Sequence, residues 1–186
     1  VFTDKEAETK VHINVDRTVK SIEGIDRFLC KSNKCYCAKG YGNELYGSTS
    51  NYFSCMPCKP GYTSSGTTQG LCVKCEPGKY TESNGTADCV PCPTGKYVPH
   101  EGSNSSSQCL PCNEGKYSPS LGAVHCLECP PGSYCNTTGA TAYVKCLPGT
   151  YNRDPGKMTC LDCPKGFYQW KFGLPYCETC LAGKYG

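Results

Sequence analysis

Paired cysteines are the residues of this chain with chemistry to offer. Cys-x-x-Cys stands at Cys55/Cys58, Cys72/Cys75, Cys89/Cys92, Cys109/Cys112, Cys126/Cys129, Cys160/Cys163 and Cys177/Cys180. Such pairs can oxidise to structural disulfides, hold a metal, or cycle as a redox motif. The step from pair to pair is 17, 17, 20, 17, 34 and 17 residues, and self-similarity at a fixed stride marks a repeat array. The 34-residue step holds two repeats, with Cys146 as one member of the absent pair and Tyr143 where its other Cys belongs. Cys135 appears inside the same repeat as a displaced half-cystine, so the number of thiols is kept.

Tetrahedral zinc is the serious competitor of disulfides, and four observations stand against it. The array is continuous, whereas zinc modules come as discrete quartets of ligands. His12, His100 and His125 fall outside any ligand spacing. The displacement of a pair member to Cys135 is one that a tetrahedral site tolerates poorly, and little helix-forming sequence is present to complete a zinc finger. A redox role for Cys-x-x-Cys needs a thioredoxin-like βαβ context that is missing.

Oxidised cysteines are therefore expected. If the second Cys of each pair bonds the first Cys of the next, the ladder is Cys37–Cys55, Cys58–Cys72, Cys75–Cys89, Cys92–Cys109, Cys112–Cys126, Cys146–Cys160 and Cys163–Cys177. Cys129 then takes Cys135 and Cys30 takes Cys35. Cys180 is left for a partner beyond Gly186, which accounts for an odd total of 19 cysteines. The rival scheme joins first to first and second to second in adjacent pairs, and sequence leaves it open.

The elements that must position these sulfurs follow from the residues between the pairs. After each second Cys come a Pro or small polar residue, a Gly, a spacer and a Tyr, as in Pro77-Gly78-Lys79-Tyr80 and Pro131-Gly132-Ser133-Tyr134. A second Gly follows ten residues after that Cys, at Gly85, Gly102, Gly122, Gly139, Gly156 and Gly173. Pro-Gly presets a turn, with Gly supplying positive φ. A short strand around each Tyr and a return strand before the next pair make an irregular hairpin. No such repeat folds alone: backbone ordering costs about 1–2 kcal/mol per residue, while closing a ~15-residue loop returns roughly 3 kcal/mol. Stacking of each Tyr on the next repeat is expected to supply the remainder.

The fold class that results is small and disulfide-rich, an elongated solenoid-like rod of ~17-residue hairpin and turn repeats with little regular secondary structure. Three regions are expected. Residues 1–29 carry no Cys, many charges and an alternating Val11, Ile13, Val15, read as the tail of a preceding domain or a strand that pairs with a neighbouring molecule. Residues 30–54 form a junction module, and residues 55–186 form the tandem repeats, cut short within a motif at Gly186.

The string Cys-x-x-Cys-Pro-x-Gly-x-Tyr, repeated with a Gly before the next pair, resembles the ephrin-receptor-like repeat, a relative in pattern of the EGF-like and tumour-necrosis-factor-receptor cysteine-rich modules. The resemblance spans residues 35–186, and Cys35-Tyr36-Cys37 through Tyr41 is similar to the end of an EGF-like module. It implies a secreted or cell-surface protein whose tandem modules form stalks, spacers, adhesive surfaces or fibres, and occasionally receptors.

A net charge of +3 is too mild for a nucleic-acid surface, and no apolar run reaches the ~18 residues of a membrane span. No catalytic constellation, cofactor loop or spaced carboxylate set for calcium is present, so no enzyme, cofactor or metal is expected. Asn84, Asn104 and Asn136 open sequons that fit a secretory route and glycosylation. Lys79, Lys96, Lys116 and Lys184 recur at one repeat position, as a basic row or as solvated turn lysines. Phe167, Tyr168, Trp170, Phe172 and Tyr176 exceed what one repeat needs for stacking, and are candidates for an interface with a neighbouring subunit. The expected function is a non-enzymatic structural or adhesive segment of a large extracellular protein, in a fibre, coat or appendage. Its partners would be other subunits or further domains of the same chain, with possible self-association into a fibre. The alternative is a receptor ectodomain binding a protein ligand.

Overall fold

The computed structural model describes residues 11–12, 28–31, 34–43, 52–53, 55–66, 71–181 and 183, with the backbone alone for 11–12, 28–31, 34–36, 43 and 52–53. Two compact units divide the chain. The first holds Val1–Cys75 and Thr81–Cys89, the second Glu76–Tyr80 and Val90–Gly186. All described strands pair two by two, and every named pair is antiparallel.

The hairpins follow from turn chemistry. In Glu76-Pro77-Gly78-Lys79 the Lys79 amide donates to the Glu76 carbonyl at 3.1 Å and Gly78 has φ of 86°. Pro at the second position and a positive-φ Gly at the third are the signature of a type II turn. The strand leaving this turn, Lys79–Tyr80, pairs with Val90–Pro91. The return strand therefore lies between the two cysteines of a pair and not before them, as the sequence had led us to expect. The same register recurs through Lys96–Tyr97 with Leu110–Pro111, Lys116–Tyr117 with Leu127–Glu128, Ser133–Tyr134 with Val144–Lys145, and Thr150–Tyr151 with Leu161–Asp162.

Backbone hydrogen bonds join successive repeats within each unit in one recurring pattern. In the second unit the Gly95 amide donates to the Ser118 carbonyl at 2.8 Å, the Cys112 amide to the Gly95 carbonyl at 2.9 Å, and the Gly122 amide to the Cys92 carbonyl at 2.8 Å. The first unit uses the same three bonds: Gly61 to Thr81, Cys75 to Gly61, and Gly85 to Cys58. At about 0.5–1.5 kcal/mol net per bond, one junction supplies as much as a loop-closing disulfide. Contact also reaches two repeats ahead. A Cβ on Gly115 (φ +80°) would lie 2.3 Å from the carbonyl oxygen of Gly156, so only glycine fits there.

Two further pairings involve the earlier residues. Val11–His12 pairs with Tyr52–Phe53 of the same chain. Within the expected junction module, Tyr41–Asn43 pairs with Cys55–Pro57, and the Cys58 amide donates to the Gly40 carbonyl at 2.8 Å. Residues from Cys37 onward thus carry the hydrogen bonds of the later repeats.

Candidate functional site: the disulfide ladder and the exposed loops

The buried side chains of the repeats are mostly sulfur. The structure joins Cys37–Cys55, Cys58–Cys72, Cys75–Cys89, Cys92–Cys109, Cys112–Cys126, Cys129–Cys135, Cys146–Cys160 and Cys163–Cys177, with Cα separations between 5.5 and 6.2 Å. Except for Cys129–Cys135, each bridge runs from the second Cys of one pair to the first of the next. Cys180 is a free thiol among the described residues. The backbone register sets Cys30 opposite Cys35, but the side chains of that hairpin, and with them the expected Cys30–Cys35 bridge, lie outside the described residues.

The tyrosines are not themselves the buried side chains of the repeats. The residue behind each one is. Thr81, Val98, Ser118, Cys135, Asn152 and Gln169 are all buried, each directly after a repeat tyrosine, and Ser64 occupies the same place. Tyr62, Tyr80, Tyr97, Tyr117, Tyr134 and Tyr151 are half-buried instead and Tyr168 is exposed, and the expected stacking on the following repeat is seen at Tyr80 and Tyr117. Tyr80 lies against Cys92, Val98 and Cys109, and Tyr117 lies against Cys129, Cys135 and Ala140. Strand alternation explains the exchange: successive side chains point to opposite faces, so the residue after Tyr turns inward toward its own repeat's disulfide. Asn152 shows the slot best. Its Nδ2 donates to the Ser133 carbonyl at 3.0 Å and the Thr159 carbonyl at 2.7 Å, and it lies 3.7 Å from Cys160 Sγ.

This slot explains the irregular repeat. Cys135 occupies it, and a cysteine there is already beside the sulfur of Cys129. Tyr143, at the position vacated by a cysteine, instead sets its ring edge-on to Tyr117, with centroids 5.4 Å apart and planes at 78°.

Two surface features complete the site. Val90, Leu110, Leu127, Val144 and Leu161, the first residue inside each pair, are exposed opposite the tyrosines. This row was missed in the sequence, although an aliphatic residue at the same position of these five consecutive repeats was there to read. The Cys112 repeat adds an open cleft of about 320 Å³ beside Pro119, Leu121, Val124 and Leu127.

The second feature is the aromatic loop of the Cys163 repeat. Trp170 is 63% exposed and Phe172 61%, and Phe167, Tyr168 and Tyr176 are also exposed. The exposure of Trp170 and Phe172 matches their position in the repeat. The corresponding residues of the earlier repeats, such as Pro119 and Arg153 for Trp170, or Leu121 and Pro155 for Phe172, are exposed as well. Lys171 Nζ lies over the Trp170 ring, 4.4 Å from its centroid. The Tyr168 hydroxyl donates to Glu178 Oε2 at 3.0 Å, and this bond to a carboxylate, followed by the charge itself, raises the Tyr168 pKa above the usual tyrosine value.

Of the lysine row, Lys79 pairs with Glu76 at 3.0 Å and Lys116 with Glu128 at 3.9 Å, while Lys184 lies outside the described residues. The row is thus partly neutralised.

The family described as tyrosine-protein kinase ephrin type A/B receptor-like matches residues 61–109, 104–146 and 149–186. The chain belongs to this family. No curated protein matches it. Ephrin-receptor-like repeats are cysteine-rich modules of a non-catalytic, extracellular receptor type, and the density of bridges accords with an oxidising compartment. Among the described residues no helix is long and apolar enough to cross a membrane.

Proposed function

We propose that this chain is a structural segment of a secreted or cell-surface protein. It acts as a stapled spacer between domains and associates with a second copy through the aromatic loop of the Cys163 repeat. The observation that carries the spacer reading is the recurring three-bond junction between repeats, backed by a disulfide in each. Every junction made this way bears load through backbone and covalent bonds, independent of what the surface loops contain. Exposed aromatics grouped on one loop supply the anchors that dominate protein interfaces.

Force spectroscopy tests the spacer. The oxidised chain should lengthen only by the segments outside its bridged loops, and dithiothreitol should release the full contour of about 3.3–3.6 Å per residue. Full extension of the oxidised chain at the same force would end the reading. Sedimentation velocity tests the association: it should depend on concentration, and Trp170→Ala should weaken it without changing the melting temperature. The receptor alternative is favoured by the same loop if the wild-type chain stays monomeric while Trp170→Ala lowers its retention on cells.

A further inference from the structure

The exposed loop behind the buried slot is the part of each repeat that varies freely, and three repeats place a sequon there. Asn84 stands four residues after Tyr80, where Phe172 stands after Tyr168. Asn136 stands two residues after Tyr134, where Trp170 stands after Tyr168. Asn104 lies in the longer loop of the Cys92 repeat, just before the short 3₁₀ turn Ser106–Gln108. All three side chains are exposed, while the glycine beside Asn84 is packed: Gly85 lies 3.4 Å from Pro57 and 3.6 Å from the Tyr41 ring, measured from an added Cβ. Backbone inside and amide outside is the arrangement a bulky modification requires. Asn152 makes the contrast. It is buried, its amide is engaged with the Ser133 and Thr159 carbonyls, and Arg153-Asp154 after it makes no sequon.

We propose that Asn84, Asn104 and Asn136 carry N-linked oligosaccharides, so that the loops of the Cys75, Cys92 and Cys129 repeats are sugar-covered and the aromatic loop of the Cys163 repeat is bare. The inference rests on the extracellular reading above. The donor is a lipid-linked oligosaccharide diphosphate. The Asn carboxamide nitrogen forms the bond to the first sugar's anomeric carbon, the carbon–oxygen bond to the diphosphate breaks, the amide gives up one proton, and the lipid diphosphate leaves. No oxidant or reductant is needed. In the folded turn the Thr86 hydroxyl donates to the Ser83 carbonyl at 2.9 Å, so transfer to Asn84 takes place before the Cys75–Cys89 loop closes.

The test is secretion of the full chain, behind a leader peptide, from cells that glycosylate. Treatment with peptide N-glycosidase should produce three mobility steps. Asn84→Gln, Asn104→Gln and Asn136→Gln should each remove one, and Thr138→Ala should remove the Asn136 step with the asparagine still present. A chain secreted with its bridges formed but unmoved by the glycosidase overturns the glycan assignment and leaves the extracellular reading intact. A chain that is retained with free thiols overturns both.

Discussion

The Cys112 repeat closes its loop with Cys112–Cys126 over 14 residues, whereas the next repeat closes with Cys129–Cys135 over only 6. By loop-closure entropy the first bridge is worth ~3 kcal/mol and the second ~2 kcal/mol. The difference is offset elsewhere in the same repeat, because Tyr143 gains an edge-on contact with Tyr117 of about 0.5–1.5 kcal/mol. What the comparison teaches is that the repeat does not require a particular bridge. It requires a filled slot behind the tyrosine, where Ser118 sits in one repeat and Cys135 in the next, and an intact backbone ladder on either side. Gly115 and Gly156 keep that ladder across the irregular repeat, since their backbones meet two repeats apart.

The largest effect should come from breaking that contact. Gly115→Ala places a carbon 2.3 Å from the Gly156 carbonyl, whereas at Gly149 an added carbon has nothing within 4 Å. Gly149→Ala should cost only left-handed strain, ~1–2 kcal/mol. Gly115→Ala should cost more than twice that, read from urea midpoints with disulfides intact. Equal losses would mean the two-repeat contact contributes nothing.

Next in size is the bridge itself. Cys135→Asn leaves Cys129 without a partner and should cost about 2–5 kcal/mol. Adding Tyr143→Cys should rebuild the regular staple, from Cys129 to the thiol introduced at position 143, and bring stability back to within ~1 kcal/mol of the parent. Non-reducing peptide mapping identifies the link. A double variant that folds with Cys129 free would break the comparison. Tyr143→Ala alone should cost ~0.5–1.5 kcal/mol and leave the bridges unchanged.

The smallest effect concerns the Cys163 repeat. There Glu178 stands opposite Tyr168, where Leu127 and Val144 stand opposite Tyr117 and Tyr134. With its pKa raised, Tyr168 stays protonated above the ordinary tyrosine value of 10.0. What its bond to Glu178 contributes is present below that value and lost as pH rises through the folded pKa. Glu178→Gln should lower the Tyr168 phenolate transition, followed by NMR titration of its ring; an unmoved midpoint would remove the bond from the account.

Much of this was legible without coordinates. The stride of the cysteines, the Pro-Gly turns and the displaced Cys135 predict tandem hairpins with covalent staples, because turn type and loop closure are local properties carried by residue identity and spacing. The slot was not legible. Ser64, Thr81, Val98, Ser118, Asn152 and Gln169 share no single side-chain type, and only their place three residues past the turn glycine turns them inward. The aromatic cluster reads equally as core or as surface in one dimension, and its outward position depends on which loop the junction leaves uncovered.

The amino-acid order alone determined that sulfur replaces an apolar interior here, since the chain has cysteines at a fixed stride and few aliphatic residues to bury. Tertiary structure alone decided which face of each hairpin is inside. That choice is made by backbone bonds between one repeat's turn glycine and the next repeat's strand, and such bonds leave no mark on side-chain type.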